Sequence, residues 1–261
     1  MLANASNSTD VGRVPSPGAP GPGESAERRV GARGLQVAGT GALWAGRLLM
    51  LALNFIPLLH AASTVIALLA PYATSSVRIP VALFCLYLAP PLVARLLLAV
   101  WPLQECRIAV GTKPFFVWWM LFQLQVIFCR LPTLEEVLRL IPGLYSQWLR
   151  LWGARIGRLT YWSAGTLITD RSFLWIGDDV VFGAGVRLNA HVITKNKNGA
   201  LELLLAPVKI GDRVMIGGYS LLTSGTEVLS DQATRAFLIA PPFSAWKEGE
   251  RVRRQQSLEI E

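Results

Sequence analysis

Apolar side chains in the last two-fifths of the chain recur at every sixth residue, which is neither a helical nor a flat-strand spacing. A second inward-facing series follows four residues behind the first, and glycine directly follows several of the leading residues. This pattern predicts short strands and tight turns wound into a solenoid, in which each coil buries a face that it cannot bury alone. The leading series is Ile156, Trp162, Ile168, Ile176, Phe182, Leu188, Ile210, Ile216, Leu222 and Val228; the second is Thr160, Thr166, Val180, Val186, Val192, Val214, Ser220 and Thr226; the glycines are Gly157, Gly177, Gly183, Gly211 and Gly217.

A β-sandwich is the competing interpretation of the same residues. It predicts alternation with a period of two and turn signals every ~8–12 residues, whereas the runs here keep one common phase of six. The glycines are expected where the backbone turns sharply or takes a positive φ. We therefore predict a mainly β domain that coils from 154 to 247.

Two segments of this domain resemble a known family. Residues 176–183 (IGDDVVFG) and 208–217 (VKIGDRVMIG) resemble the hexapeptide-repeat acyltransferases. The resemblance implies a left-handed parallel β-helix, although the general rule for parallel crossovers gives the right hand. It also implies a homotrimer and acyl transfer from coenzyme A. After Val228 the chain departs from the family, because 229–238 shows no phase of six.

The repeat is interrupted between 194 and 207 by a polar stretch followed by an apolar one. Asn198-Gly199 is a strong turn signal, and a long excursion from a regular scaffold is usually functional. In the family such a loop reaches a neighbouring subunit, and the catalytic histidine lies just before it. His191 occupies that place here, where its imidazole would take a proton from the acceptor. The alternative is a solvated turn residue.

The other candidate site residues follow from the same resemblance. Backbone amides of the turn after Ile216 are expected to bind the oxyanion on the coenzyme A side of the site. Residues 239–246 resemble the closing segment of the family, with Ala240 in place of its glycine. A turn asparagine, a capping aromatic and a solvated lysine are the alternative interpretations of three of these residues. The coenzyme A candidates are Gly218, Tyr219, Trp246 and Lys247, and the acceptor-side candidates are Asn189, Lys195 and Asn196.

The chain before the repeats predicts a membrane anchor at 43–132. The chain is 52% hydrophobic and 16% charged, with a mean hydropathy of +0.41, which is too apolar for an ordinary soluble domain. The runs 48–70 and 79–103 are each long enough to span a bilayer and predict a transmembrane hairpin. Arginines and lysines at both outer ends place those ends, and the coil domain, on the cytoplasmic face. The net charge of +8 favours anionic membrane lipids over nucleic acid as the partner.

A third apolar run at 115–128 is short for a span and contains Gln123 and Gln125. We interpret it as re-entrant or interfacial, with Trp118 and Trp119 at headgroup depth. A third full crossing is the alternative, and it would put the coil domain outside the cell, away from coenzyme A. Two polar residues within the first span, Asn54 and His60, have either a functional role or a hydrogen bond to a neighbouring helix.

Residues 133–153 predict an amphipathic segment that caps the first coil. Thr133 and Glu136 have the spacing of a capping box. The segment either lies in the membrane interface or packs on the coil as a soluble helix. Its predicted apolar residues are Leu134, Val137, Leu138, Ile141, Tyr145, Trp148 and Trp152, with Glu135, Glu136, Arg139 and Arg150 off that face.

The two ends of the chain predict little structure. Residues 1–42 are rich in Gly, Pro, Ser and Ala and predict a disordered tail, and 248–261 predicts a basic tail with Arg251, Arg253 and Arg254. The three cysteines lie outside the repeats without a C-x-x-C pair, so neither disulfides nor a zinc site is expected.

Together these features predict a membrane-anchored O-acyltransferase with no bound cofactor and no metal. Its co-substrate would be acetyl-CoA or another acyl-CoA, and its acceptor a hydroxyl on a lipid-linked or surface saccharide. One alternative is the carrier-protein-dependent, amide-forming condensing unit of peptide synthetases, which would need a carrier partner in trans. Another is a non-catalytic trimeric scaffold. A carbonic anhydrase is disfavoured because it needs several histidines around one metal, and the repeats contain one histidine.

Overall fold

The computed structural model describes residues 40–71 and 73–252. The predicted N-terminal tail up to residue 39 lies outside the described residues, as do Arg253 and Arg254. Internal contacts divide the chain into Met1–Arg47 and Leu48–Glu261. In the first unit, residues 40–47 are helical, and the guanidinium of Arg47 lies 5.3 Å from the centre of the Trp44 ring.

Two apolar helical segments, Trp44–Leu69 and Ser75–Val100, are each 26 residues long and apolar enough to cross a bilayer. The first consists of α1 (Thr40–Leu53) and α2 (Ile56–Leu69). The second consists of α3 (Ser75–Leu83), a π-helical turn (Phe84–Leu88) and α4 (Ala89–Val100). The turn precedes a Pro-Pro pair that lacks the N–H groups of a regular helix, which accounts for the irregularity. The two predicted helices form, and their crossing of a membrane stays a prediction.

The polar residues of the first apolar segment bond to neighbouring helices. The His60 ring donates from Nε2 to the Leu86 carbonyl at 3.1 Å. The Asn54 side-chain oxygen accepts from Trp119 Nε1 at 3.0 Å and from Gln123 Nε2 at 2.9 Å. These contacts agree with the structural interpretation of both residues, and they join the first segment to the third apolar run.

That third run forms α5 (Lys113–Arg130), which follows strand β1 (Cys106–Ala109) and is bent by 80° from α6 (Thr133–Arg139). The predicted capping box does not form, because Pro132 is the N-cap and no side chain caps the helix. Glu136 instead accepts from the Gly165 amide at 2.9 Å, which ties α6 to the coil.

The buried face of α6 differs from the predicted one. Glu135 is buried, whereas Val137 and Ile141 are exposed. The physical reason is Arg171, a fully buried arginine of the coil whose guanidinium pairs with the Glu135 carboxylate.

The next helix, α7 (Leu144–Leu151), buries Tyr145 and Trp148 as predicted. Trp162 of the first coil donates to Ser146 at 2.9 Å and meets the Tyr145 ring edge-on at 5.2 Å. Helix α7 therefore covers the open end of the coil, as the sequence predicted.

From Arg155 the chain winds as a three-sided coil, the coil domain. Successive short strands join three parallel sheets in rotation, and each three-strand turn stacks on the previous one. The first side contains β2, β5, β10, β13 and β15, the second β3, β6 and β11, and the third β4, β7, β12 and β14. The strands are β2 Arg155–Ile156, β3 Tyr161–Trp162, β4 Leu167–Ile168, β5 Leu174–Ile176, β6 Val181–Phe182, β7 Arg187–Leu188, β8 His191–Lys195, β9 Leu201–Leu205, β10 Val208–Ile210, β11 Met215–Ile216, β12 Leu221–Leu222, β13 Glu227–Val228, β14 Ile239–Ala240, β15 Ala245–Lys247 and β16 Glu250–Val252.

The six-residue series forms the core, as predicted. Every leading residue is buried except the half-buried Trp162. In the second series Thr160 and Val192 are half-buried, and Val192 falls outside the core because it lies in β8. The glycines after the leading residues do not take positive φ; Asp179 and Arg213, two residues further on, do. A side chain at Gly177 would lie 2.7 Å from the Asp212 backbone nitrogen, so glycine is required there by the close stacking of the coils.

The phase of six continues past Val228, contrary to the prediction. Leu222 pairs with Ala240, and Val228 pairs with Trp246. A small residue, Ala240, occupies an inner position of the last turn, so the apolar signal is weak there. Strand β16 then closes the first side by antiparallel pairing with β15.

The predicted excursion is a β-hairpin, here named the arm. Strands β8 and β9 pair antiparallel, and Gly199 in their turn has a φ of 79°. Strand β1 pairs with the other edge of β9, with Cys106 opposite Leu205. The arm is thus held by the segment that follows the second apolar helix of the same chain.

Candidate active site

His191 and Asp170 meet at the third corner of the coil, where the chain leaves the third side and returns to the first. Strands β4 and β7 stack with Leu167 opposite Arg187, so residues about 20 positions apart lie one above the other. Asp170 follows β4, and His191 begins the arm after β7. The His191 ring donates from Nδ1 to Asp170 Oδ2 at 2.6 Å, with 18% and 2% of the two side chains exposed.

The Asp170 carboxylate is held by three donors. Besides His191, Trp118 Nε1 donates to Oδ1 at 3.2 Å, and the Thr169 hydroxyl donates to Oδ2 at 3.0 Å. Burial alone would raise the pKa of Asp170, but the charge and hydrogen bond of His191, with the Trp118 and Thr169 bonds, hold that pKa below its usual value. Asp170 is therefore an ionised, buried carboxylate.

The environment of His191 prepares it to accept a proton. Burial would lower the pKa of the imidazole, but the charge and hydrogen bond of Asp170 outweigh burial and raise it above the usual value. Because Nδ1 carries the proton shared with Asp170, Nε2 holds the lone pair of the neutral ring. No residue in the described part of the chain makes a hydrogen bond to Nε2, so this nitrogen can act as a base.

Helix α5 forms an aromatic wall beside the imidazole. The His191 ring meets Trp118 at 4.9 Å and Phe122 at 5.5 Å between ring centres, both edge-on. Trp118 is buried against the coil, and its indole N–H finds an acceptor in Asp170. Its depth in a membrane stays a prediction.

Arg171, the residue after Asp170, points into the helical cap, which α6 and α7 form, and also contacts α5. The Arg171 guanidinium donates to Glu135 and, at 2.9 Å, to Gln125, and it lies between the rings of Trp148 and Phe128 at 5.6 and 5.5 Å. Its backbone amide also donates to Gln125 at 3.0 Å. Arg171 thereby fixes the corner that presents Asp170 to His191.

The three acceptor-side candidates lie at different distances along the chain from His191. Asn189 lies two residues before His191, and its side-chain oxygen is buried without a hydrogen-bond partner in the residues described here. Lys195 is at the far end of β8, roughly 13 Å along an extended strand from His191. The Asn196 side-chain oxygen accepts from the amides of residues 198 and 200, so it shapes the turn of the arm.

The coenzyme A candidates lie on other parts of the coil. Gly218 and Tyr219 form the corner between β11 and β12, whereas His191 follows β7 at the next corner. The Tyr219 amide already donates to the Ala184 carbonyl at 2.7 Å, so it is not an oxyanion donor in this conformation. Trp246 donates to Ser244 at 2.9 Å, and Lys247 pairs with Glu248 at 3.7 Å. Within one chain, the fold does not bring these residues to the imidazole.

Sequence reasoning missed four residues of this site: Asp170, Thr169, Trp118 and Phe122. One signal was available for the first, because an acidic residue one coil before a histidine stacks beneath it once the coil length is known. No spacing rule links α5 to the coil. Among residues 40–71 and 73–252, no three His, Cys, Asp or Glu side chains form a group able to hold a metal.

No family model and no curated protein matches the chain. Similar solved structures include a maltose O-acetyltransferase from Clostridium difficile 630, with 19% identity over 47% of this chain and 82% of that one and a TM-score of 0.34. A hexapeptide-repeat acetyltransferase of Vibrio cholerae O1 biovar eltor, complexed with acetyl-CoA, has 16% identity, coverages of 52% and 90%, and a TM-score of 0.33. A galactoside acetyltransferase in complex with coenzyme A has 17% identity, coverages of 49% and 82%, and a TM-score of 0.31. Similarity at this level carries no conclusion about the reaction of this chain.

Proposed function

We propose that the chain is a membrane-anchored acyltransferase with a left-handed coil, related to the hexapeptide-repeat acyltransferases. Acetyl-CoA or another acyl-CoA is the donor, and a membrane-borne hydroxyl is the acceptor. The observation that carries the proposal is the pairing of His191 with the buried Asp170 at the root of the arm. A solvated turn histidine would have no buried carboxylate beneath it.

The pairing supports general-base catalysis. His191 Nε2 removes the proton of the acceptor hydroxyl as its oxygen attacks the thioester carbonyl. The tetrahedral intermediate then collapses, the C–S bond breaks, and the coenzyme A thiolate takes the proton from the imidazolium. Asp170 keeps the proton on Nδ1 and stabilises the cationic ring, as a buried carboxylate does for a catalytic histidine. A well-placed base contributes about 10²–10⁴-fold to the rate.

Asn189, two residues before His191, is the proposed residue that orients the acceptor. Its side-chain oxygen is buried and has no donor among the described residues, although such groups are normally satisfied. An acceptor hydroxyl or amine would supply that donor near His191.

Trimer formation would complete the other half of the site. The second side, the corner that follows it and the start of β14 on the third side expose apolar side chains: Tyr161, Met215, Tyr219, Phe237 and Ile239. The Tyr219 and Phe237 rings stack at 5.4 Å, which makes part of this surface flat and rigid. An exposed apolar patch of this kind supports an interface with further copies of the chain. The Gly218 amide of a neighbouring subunit is then the proposed oxyanion donor.

Helix α5 supports an acceptor held in the membrane. One face of it bonds to the first apolar segment through Trp119 and Gln123, and the other bonds to Asp170 through Trp118. Since a helix is about 10–12 Å across, His191 lies one helix away from the proposed membrane anchor. The flanking basic residues support a cytoplasmic coil domain, where acyl-CoA is available.

The test is thiol release by the full chain, purified in detergent, with a panel of acyl-CoAs and hydroxyl or amine acceptors. We expect acceptor-dependent release that is lost in His191→Ala and retained in Arg213→Gln, a change at an exposed corner. Thiol release that persists in His191→Ala would refute the assignment of His191 as the general base. Turnover only with a carrier-bound thioester and an amine would favour the condensing unit, and no turnover by the folded wild type would favour the scaffold.

A further inference from the structure

The two apolar segments, 48–69 and 75–100, pack against each other as a helical hairpin whose middle is attached to the helical cap. Trp148 of α7 donates to the Tyr87 carbonyl at 2.8 Å, and the Tyr87 hydroxyl donates to the Leu134 carbonyl at 3.0 Å. Tyr87 is at the midpoint of the 26 residues of Ser75–Val100. The cap therefore lies beside the centre of the second segment and not beyond its end.

Helix α5 lies alongside the first segment over the same stretch. The Asn54 side-chain oxygen accepts from both Trp119 and Gln123. Further along both helices, the His60 and Phe128 rings are 5.9 Å apart between ring centres. Because these contacts follow the two helices in the same direction, α5 runs beside the first segment as far as His60.

The part of the hairpin beyond these contacts is too short to cross a bilayer. It consists of residues 61–69 of the first segment and 75–86 of the second. At 1.5 Å per residue these stretches extend roughly 14 and 18 Å, whereas the hydrocarbon core of a bilayer is about 30 Å thick. A full crossing would therefore draw the cap into the hydrocarbon, together with Arg150 and with Glu136, whose side chain is 37% exposed. Charged groups are costly there.

The tip of the hairpin is polar, so it does not suit the centre of the hydrocarbon either. Thr74 and Ser76 share a hydrogen bond at 2.8 Å, and Arg78 donates to Ser75 at 3.1 Å, with both bonds exposed. In the sequence from 48 to 100, Arg78 and Arg95 are the only arginines, and no lysine or acidic residue occurs. The tip therefore fits the headgroup region of a membrane.

The face of the hairpin that points away from α5 and the cap is apolar along its length. Leu59 and Ile66 are 65% and 64% exposed and lie two turns apart on one face of α2. Leu92 and Leu96 are 50% and 67% exposed on α4. Leu59 and Leu92 lie beside the attached half of the hairpin and Ile66 beyond it, so this surface is not confined to the tip. Acyl chains match an uncharged helical face of this kind.

We propose that the hairpin lies in the plane of the membrane and inserts its apolar face into one leaflet, in place of the crossing that the sequence predicts. Acyl chains cover the exposed leucines and Ile66, and the polar tip lies at headgroup depth. Helix α5 and the coil domain then lie on the same side of the membrane as the tip. The proposal rests on the membrane anchoring in the proposed function and not on the chemistry at His191.

The depth of two matched positions tests the proposal. Leu59→Cys or Ile66→Cys carries a nitroxide label in a full chain whose three cysteines are replaced by alanine, reconstituted in vesicles of phosphatidylglycerol and phosphatidylcholine. Accessibility to oxygen and to a nickel chelate measures the depth of each label. We expect equal depths, about 5–10 Å below the headgroups. A crossing helix would separate the two labels by about 10 Å, and that result would overturn the proposal. A label at Arg213→Cys on the coil is the control and should report water.

Thiol labelling gives a second test that keeps the native cysteines. A membrane-impermeant maleimide is added to sealed vesicles from either side, with Ser76→Cys at the tip and Arg213→Cys on the coil in one chain, and the labelled peptides are identified by mass spectrometry. We expect both positions to react from the same side. Reaction from opposite sides, or a tip protected from both, would overturn the proposal.

Melting temperatures verify that the variants fold. A hairpin that crosses would overturn this inference and leave the proposed reaction intact. Release of the wild type from membranes by alkaline carbonate would refute the anchoring itself. Loss of the reaction alone, seen as no thiol release by the folded wild type, leaves the in-plane arrangement standing, so the two failures are distinguishable.

Discussion

The first and third corners of the coil both pair an acidic with a basic residue, yet in different surroundings. At the first corner, between the first and second sides, Arg213 contacts Asp231 at 2.6 Å, and 59% and 61% of the two side chains are exposed. At the third corner His191 contacts Asp170 at the same distance, with both side chains largely buried. An exposed pair is screened by water and contributes little, whereas a buried pair fixes protonation states.

The difference comes from what covers each corner. Helix α5 lies over the third corner and supplies the Trp118 N–H to Asp170, whereas the Arg213–Asp231 pair at the first corner is exposed to solvent. A repeat motif therefore marks the corners of a coil, and the element packed outside a corner decides whether its charges have chemical consequences.

The largest expected effect comes from the third-corner pair itself. Asp170→Asn should lower acyl-CoA turnover about 10²–10⁴-fold, because the asparagine cannot stabilise the imidazolium and selects the wrong tautomer. Steady-state thiol release measures this effect. The matched change at the first corner, Asp231→Asn, should leave turnover unchanged, and equal losses in both variants would contradict the comparison.

The next effect is on stability. Arg171→Met leaves the Glu135 carboxylate buried without its main partner, so the free energy of unfolding should fall by about 3–5 kcal/mol. Denaturant unfolding in detergent measures this change. The double variant Arg171→Met with Glu135→Gln should recover part of the loss, and Arg213→Met should cause no measurable loss. A loss in the double variant as large as in the single one would refute the pairing as the cause.

The pH profile of turnover should report the same pair. The base is the neutral imidazole, and Asp170 raises the pKa of His191, so activity should rise with pH through a midpoint above the usual value of 6.5. In Asp170→Asn the charge is absent and burial lowers the pKa, so the residual activity should have a lower midpoint. An unchanged midpoint in that variant would mean that another group controls the acid limb.

The smallest expected effect is that of removing the hydrogen bond that Trp118 of α5 donates to Asp170. Trp118→Phe keeps the aromatic wall but removes one hydrogen bond to Asp170, worth about 0.5–1.5 kcal/mol, so turnover should fall by a factor of about 2–12. The reduction should appear in kcat rather than in KM for the acyl-CoA. Trp119→Phe is the control, because its indole bonds to Asn54 instead. Equal reductions in both variants would indicate a general loss of packing.

The core of the coil could be predicted from the sequence because its signal is local. Ile176 and Ile210 follow the same rule of six and become neighbours in the fold. Ala240 obeys that rule too, but a small residue gives only a weak apolar signal, so the pattern does not predict the last turn. His191 could be found because it stands next to the interruption of the repeat.

Its partners could not be found in the same way. Asp170 meets His191 only after two coils have stacked, and Trp118, which is 52 positions before Asp170 in the chain, meets it only after α5 has packed on the coil. Helical periodicity places Glu135 on the polar face of α6, because it contains no information about a buried arginine elsewhere in the chain. Tertiary packing, rather than local pattern, therefore determines the candidate site.

Strand β1 is separated from its neighbour β9 by the whole of α5, α6, α7 and the first coils. A shortened polypeptide that starts at α5 would keep every coil but leave the outer strand of the arm as an open edge, which is a template for aggregation. Soluble production of the coil domain should therefore begin upstream of Cys106, even though nothing before Arg155 belongs to the repeats.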